Sequence, residues 1–181
     1  MTFILLGLAL WAGTHFWKRA APDHRASFGD KGKAIVTISS FAAIALMVLG
    51  YKLADGAFYW GRSGALVGAN NLLMLFAFYL FAASGKGTRV TKFIRHPQLA
   101  AILVWSTAHL LVNGDTPSFV LFGGMALWAL TEMVLINHAE GPREPYQAPP
   151  LKSEIIALIA TVVVTMIVMA IHHFLGATPW G

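Results

Sequence analysis

The stretch that decides the fold is IIALIATVVVTMIVMAIHHFL, Ile155 to Leu175, which carries no acidic residue, lysine or arginine over 21 positions. At 1.5 Å per residue, a helix of this length crosses a hydrocarbon core of about 30 Å. A strand of a membrane barrel would instead be short and would alternate apolar with polar residues. The segment is therefore predicted to be a transmembrane helix.

Five further apolar spans precede it, so the fold predicted for residues 1–181 is an all-α membrane bundle of six helices in one domain. Two of the spans are short for a bilayer, and Pro97 stands at the start of the fourth, where a first helical turn accepts proline. The spans run about 2–17, 34–54, 65–84, 98–113, 119–137 and 155–175.

The composition fits this class. Of 181 residues, 57% are hydrophobic and only 12% are charged, against about 25% charged in a soluble domain. The mean hydropathy is +0.65. The chain has no cysteine, which excludes disulfides and thiolate metal sites. Phosphate-binding loops, dinucleotide fingerprints, zinc-protease motifs and nucleophile elbows are all missing from the sequence.

The basic residues predict the orientation. The net charge of +5 could suggest nucleic acid, but position explains it better, because alternate loops hold 11 of the 13 lysines and arginines. By the positive-inside rule those loops are cytoplasmic and both termini are periplasmic. A cleavable signal is not expected, since no basic residue precedes the first span. The loop residues are Lys18, Arg19, Arg25, Lys31 and Lys33; Lys86, Arg89, Lys92 and Arg95; and Arg143 and Lys152.

Aromatic residues stand near the predicted interfaces, as the aromatic belts of membrane proteins require. They are Trp17, Tyr59, Trp60 and Trp180.

Ionisable side chains inside hydrocarbon are costly and mark candidate sites. His15 lies near the cytoplasmic end of span one and His109 lies deep in span four. Each is interpreted either as a hydrogen-bonded structural histidine or as a metal ligand. Glu132 in span five should have a cationic or hydrogen-bonding partner, and Arg95, His96 and His15 share its predicted depth. Arg95, His96 and Glu132 are also the candidates for a catalytic polar cluster, with a structural ion pair as the simpler interpretation.

Three other patterns bear on the bundle interior. The residues Gln98, Ile102, Trp105, His109 and Asn113 fall on one helical face, which is expected to point inward. In each of the adjacent pairs Asn70–Asn71 and His172–His173, at most one residue is expected to point toward the bundle interior.

The string RHPQLAAILVWSTAHLLVNGD, Arg95 to Asp115, resembles the NnrU family of bacterial membrane proteins and the related plastid 15-cis-ζ-carotene isomerases. The shared features are the Arg-His-Pro start, His96, and Trp105 four residues before His109. The first span, with His15 followed by Lys18 and Arg19, is a second point of similarity.

This resemblance implies a haem b protein. The isomerases use haem to isomerise a cis double bond of a carotenoid, and NnrU proteins are associated with denitrification and nitric oxide metabolism. It makes His15 and His109 the candidate axial ligands, with His96 in reserve, and places Trp105 and Asn113 beside the haem. Where the isomerases have a cysteine, this chain has Ser106, so thiolate ligation is not expected.

The ligand pair stays open. From the predicted spans, His109 lies roughly 16 Å from His15 along the membrane normal. The iron could therefore be bound by His109 with His15 or His96, by His15 with His96, or by one histidine alone.

Two alternatives remain. The Arg-His-Pro start also resembles S-adenosylmethionine-dependent membrane methyltransferases, but Leu99 and Ala101 replace their tyrosine and glycine, and Glu132 has no acidic neighbour. The chain could also be a non-catalytic haem-binding subunit of a membrane complex. The expected setting is the inner membrane of a Gram-negative bacterium, with membrane lipid and an apolar or small gaseous substrate as partners and no nucleic acid.

Overall fold

The computed structural model describes residues 1–143 and 145–179, which are almost entirely helical. Each of the six predicted spans is a helix, and most extend beyond the apolar stretch by a polar turn. The helices are α1 (Thr2–Ala20), α2 (Pro22–Ser27), α3 (Gly29–Leu53), α4 (Gly64–Lys86), α5 (Pro97–Val112), α6 (Thr116–Glu140) and α7 (Leu151–Phe174).

Four of these helices, α3, α4, α6 and α7, are long and apolar enough to cross a membrane, while α5 is a shorter apolar helix. The chain is thus a helical protein with several candidate membrane spans. The sequence did not predict the short helix α2, the 3₁₀ turn Arg89–Lys92, or the two-stranded sheet of β1 (Phe58–Trp60) and β2 (Gly114–Asp115). Trp17 lies in the last turn of α1, Tyr59 and Trp60 lie in β1, and Trp180 lies outside the described residues. Their place in an aromatic belt stays a prediction.

Local chemistry sets the helix boundaries. Pro22 and Pro97 each occupy the first turn of a helix, where a missing N–H costs nothing. Asp115 caps α6 by accepting a 2.8 Å hydrogen bond from the Ser118 N–H. Gly87 and Gly141 follow α4 and α6 with positive φ of 63° and 69°, which glycine adopts without steric cost.

The helices form two compact units. Unit 1 comprises Met1–Tyr59 and Gly114–Gly141, and unit 2 comprises Trp60–Asn113 and Pro142–Gly181. The single-domain assignment stays a prediction.

In unit 1, α1 packs between α3 and α6. Small residues allow the close approach that helices in lipid depend on. A Cβ on Gly50 of α3 would stand 2.5 Å from the Ile4 nitrogen of α1, and a Cβ on Gly124 of α6 would stand 2.6 Å from Leu8. Tyr51 links α3 to α6 through a 2.8 Å hydrogen bond with the Ser118 hydroxyl.

In unit 2, α4 packs against both α5 and α7. Glu154 at the start of α7 accepts hydrogen bonds from the Tyr79 hydroxyl of α4 and from the Arg89 N–H, at 3.0 Å for the latter. Thr88, beside Arg89, is fully buried and also bonds Tyr79. This contact joins the end of α4 to the start of α7.

Candidate functional site

In unit 1, His15 lies between two tryptophans. The Trp11 ring, one turn earlier on α1, stacks on the imidazole with centroids 4.2 Å apart. The Trp128 ring of α6 meets His15 edge-on at 5.2 Å and Trp11 at 5.4 Å. Three rings from two helices therefore fix the position of one imidazole.

The tautomer of His15 follows from its hydrogen bond. Its Nδ1 is 2.8 Å from the Trp11 carbonyl oxygen. A carbonyl only accepts, so Nδ1 carries the proton and the lone pair lies on Nε2.

One turn farther along α1 and α6 lies an ion pair. Arg19 Nε is 3.5 Å from Glu132 Oε1, and a second guanidinium nitrogen is 3.9 Å from Glu140. Glu132 is only 8% exposed. The sequence analysis expected a cationic or hydrogen-bonding partner for this buried carboxylate. That partner is Arg19, which the sequence analysis had assigned to a loop. Because Trp11 contacts Trp128 and Arg19 contacts Glu132, α1 and α6 run in the same direction.

Several buried polar atoms have no hydrogen-bond partner within residues 1–143 and 145–179. Three belong to the α1–α6 face of unit 1, and the fourth is in α5 of unit 2. They are Trp11 Nε1, Trp128 Nε1, Glu132 Oε2 and Ser106 Oγ. Buried polar atoms are normally satisfied by protein, water or ligand, so their concentration around His15 marks a candidate binding site.

His109 of unit 2 repeats the arrangement of His15. Its Nδ1 donates to the Trp105 carbonyl, 3.1 Å away, and the two rings are 5.2 Å apart. The sequences are WAGTH in α1 and WSTAH in α5. His172 makes the same backbone bond, to Val168, so the bond itself is common. The tryptophan four residues earlier distinguishes the other two histidines, and the repeat is the signal that the sequence analysis missed.

Comparison with known proteins assigns the family. The family model described as NnrU protein matches residues 3–179. The chain belongs to the NnrU family. No curated protein and no solved structure matches it.

Arg95 and His96 of this NnrU chain lie in unit 2 at the start of α5, where His96 is the residue that precedes the first turn. Glu132 lies in unit 1, and the proposed three-residue cluster stays a prediction. His96 immediately precedes α5 and His109 lies in its last turn, which separates them by about 20 Å along the helix axis. This distance argues against their binding one iron together, and the choice of ligands stays a prediction.

Of the two predicted neighbours of His109, one contacts its ring and the other bonds its backbone carbonyl. Trp105 contacts the imidazole, as described above. Asn113 instead donates to the His109 carbonyl oxygen at 2.9 Å and so caps the helix. On the predicted inward face of α5, Gln98 is exposed, and the other four residues are half-buried.

The two adjacent polar pairs differ in burial: the two histidines divide, whereas Asn70 and Asn71 are both half-buried. His172 is half-buried on the face of α7 that includes Ala157 and Thr161, whereas His173 is exposed. Asn70 donates to Asn71 at 3.0 Å. In the described part of this NnrU chain, no group of three or more histidine, aspartate or glutamate side chains is arranged to hold a metal ion. A haem iron needs only one or two side-chain ligands.

Proposed function

We propose that this NnrU protein binds haem b through the histidine of a Trp–His pair. Trp11–His15 in unit 1 and Trp105–His109 in unit 2 are the two candidate pairs. The observation that carries the proposal is that, in both pairs, the imidazole lies against the tryptophan ring four residues earlier and donates its Nδ1–H to that tryptophan's carbonyl. Metal-bound histidines almost always donate their second ring nitrogen to a carbonyl or carboxylate, which orients the ring and raises its basicity.

The surroundings of His15 also suit a flat aromatic cofactor. Trp11 and Trp128 present ring surfaces beside the imidazole, and their unpartnered indole N–H groups are donors for a polar substituent or ligand. In unit 2, Ser106 adds an unpartnered hydroxyl three residues before His109.

Bound haem would supply an iron that changes oxidation state and can contact an alkene or a small gas at an open coordination position. The chain's own contribution is narrower. In each pair, the tryptophan carbonyl orients the imidazole and the tryptophan ring shields it from water. The ion pair of Arg19 and Glu132 lies one turn from His15. We infer redox-linked haem chemistry, acting either on a carotenoid-like polyene or in nitric oxide metabolism. A non-catalytic haem subunit would use the same ligands.

The test is an absorption spectrum of the detergent-purified protein, oxidised and dithionite-reduced. A Soret band should appear in the wild type and weaken or shift in at least one of the variants His15→Ala and His109→Ala. His96→Ala and the exposed His173→Ala serve as controls and should keep the wild-type spectrum. Absence of the band after expression with added haem would overturn the proposal and make S-adenosylmethionine binding the next measurement.

The role of the haem is tested separately. Nitric oxide is added to the reduced protein, and a cis-polyene is incubated with it. A spectral shift with nitric oxide and no isomerised product supports the nitric oxide role. Isomerisation that requires the reduced state supports the isomerase role. If neither the spectral shift nor isomerisation is observed, the role of a structural subunit is supported.

We further propose six spans with both termini on the periplasmic side of a bacterial inner membrane. The asymmetric distribution of basic residues supports this orientation. Because the chain has no cysteine, single cysteines at Ser27 and Arg62 report on opposite sides. A membrane-impermeant thiol reagent applied to intact spheroplasts should label Arg62→Cys and spare Ser27→Cys. The reverse pattern would invert the topology.

A further inference from the structure

Helices α1 and α3 of unit 1 pack tightly near the start of α1 and line an apolar groove farther along it. Near the start of α1, a Cβ on Gly7 would stand 2.6 Å from Met47 and 2.8 Å from the Ala43 carbonyl oxygen. Toward the end of α1, a Cβ on Gly13 would meet nothing within 4 Å. Gly13 thus borders open space, on the side of α1 where Ile35 of α3 also lines a groove.

The groove is apolar and lies along α1. Its volume is about 280 Å³, and it is lined by Ala9, Leu10, Gly13, Thr14, Trp17 and Ile35. The one hydroxyl in this set is occupied, since Thr14 donates to the Leu10 carbonyl at 2.6 Å. At 100° per residue, Gly13 and Trp17 are about half a turn around α1 from His15 and Trp11. The groove is thus separate from the candidate haem site.

Cations surround the open end of this groove. Lys18 follows Thr14 by one helical turn, and Lys31 precedes Ile35 by one turn, so each continues a groove-lining face. The Arg25 guanidinium lies 5.5 Å above the Trp17 ring. None of these three cations is in an ion pair within the described ranges. Of the nearby acids, Asp30 is bound by Lys33 at 2.9 Å, and Asp23 lies in the first turn of α2.

We propose that this groove binds a phospholipid with a net negative headgroup. One acyl chain lies along the groove between α1 and α3, and the phosphate is bound by Lys18, Lys31 and Arg25, with Trp17 at the boundary between chain and headgroup. Basic residues at a membrane surface each attract an anionic headgroup by about 1 kcal/mol, or about fivefold in affinity. The apolar volume accounts for the chain, and the charge accounts for the choice of headgroup.

The experiment is native mass spectrometry of the full chain in detergent, titrated with phosphatidylglycerol or phosphatidylcholine of identical acyl chains. The wild-type protein should retain phosphatidylglycerol in preference to phosphatidylcholine. Gly13→Leu fills the groove and should lose the retained lipid. Gly68→Leu is the matched control, because a Cβ on Gly68 of α4 also meets nothing within 4 Å, and it should bind as wild type does.

A second pair of variants tests the headgroup. Lys18→Gln with Lys31→Gln should weaken phosphatidylglycerol about fivefold per lysine and leave phosphatidylcholine unchanged. Lys33→Gln with Lys52→Gln removes the same charge elsewhere on α3 and should change neither. Soluble glycerol phosphate should not displace the lipid, since it has no acyl chain.

Equal lipid retention by Gly13→Leu and Gly68→Leu would overturn the proposal, and so would equal affinity for the two headgroups. A dimer that Gly13→Leu converts to monomer without any change in lipid would assign the groove to a second copy of the chain instead. If Gly13→Leu does not fold, as judged by circular dichroism, the lysine variants carry the test. None of these outcomes depends on haem.

Discussion

Arg19 of α1 and Glu132 of α6 form a partly buried ion pair in unit 1, with Arg19 Nε 3.5 Å from Glu132 Oε1. The two side chains are 21% and 10% exposed. Charges removed from water must be compensated by a partner, because an isolated buried carboxylate is strongly disfavoured. The pair also lies one turn from His15 on one helix and from Trp128 on the other, so it holds in register the two helices that surround the imidazole.

Removing one member of this pair should destabilise unit 1. Arg19→Gln leaves Glu132 buried without its cation and should lower the free energy of unfolding by about 3 kcal/mol. The double variant Arg19→Leu with Glu132→Leu should lose much less than the sum of the single variants, since both charges are gone. Unfolding in mixed micelles measures these changes.

The control for that experiment is Lys33→Gln. It breaks the pair between Lys33 and Asp30, which is shorter at 2.9 Å but has side chains 77% and 94% exposed. An exposed pair of this kind contributes little, so unfolding should not change measurably. Equal effects of Arg19→Gln and Lys33→Gln would show that burial of Glu132 does not matter.

The packing of α3 on α1 should not tolerate a side chain at Gly50. Gly50→Ala places a Cβ 2.5 Å from the Ile4 nitrogen and 2.9 Å from the Phe3 carbonyl carbon, both backbone atoms that cannot rotate away. Overpacking of this kind costs about 1–3 kcal/mol. Gly68→Ala, in open space on α4, should be neutral or stabilising by up to about 1 kcal/mol. Thermal unfolding of both variants provides the comparison, and an unchanged midpoint in Gly50→Ala would contradict the packing described.

In unit 2, Tyr79→Phe should loosen the junction of α4 and α7. It deletes the hydroxyl that donates to Glu154 Oε1 and leaves the ring in place. Hydrogen bonds to charged groups are worth more than neutral ones, but both side chains are half-buried, so a loss of about 1 kcal/mol is expected. Tyr59→Phe, at a tyrosine that is 61% exposed, is the matched control. Proteolysis between α6 and α7 should accelerate only in Tyr79→Phe.

The sequence predicted the positions of the helices well because a long apolar segment in lipid must satisfy its own backbone hydrogen bonds, and a helix does so. It identified His15, His109 and Glu132 for a related reason, since each stands out from the apolar residues around it. It could not name Arg19 as the partner of Glu132. That assignment depends on which helices are neighbours and in what register, and one sequence does not reveal either.

The Trp–His spacing of four residues occurs in both α1 and α5. The family resemblance singles out Trp105 but not Trp11, which stands at the same spacing before His15. Trp128 lies on another helix, and its edge-on contact with His15 follows only from the packing of α1 against α6. The sheet and α2 were missed because three- and six-residue elements carry too little periodicity to be recognised.

Trp128→Phe separates structural from ligand-binding roles at the candidate site. Phenylalanine keeps an aromatic ring against His15 and Trp11 but removes the buried indole N–H, which has no partner among residues 1–143 and 145–179. An unsatisfied buried donor costs about 1–3 kcal/mol, so the ligand-free protein should be as stable as wild type or more stable. If the N–H donates to a bound cofactor or ligand, haem affinity should fall in the same variant.

Trp17→Phe is the control, because its N–H already donates to His24 at 2.9 Å. Spectroscopic haem titration and unfolding of the haem-free protein, measured on both variants, should give opposite trends only for Trp128→Phe. Lower stability with unchanged haem affinity would instead make Trp128 a packing residue.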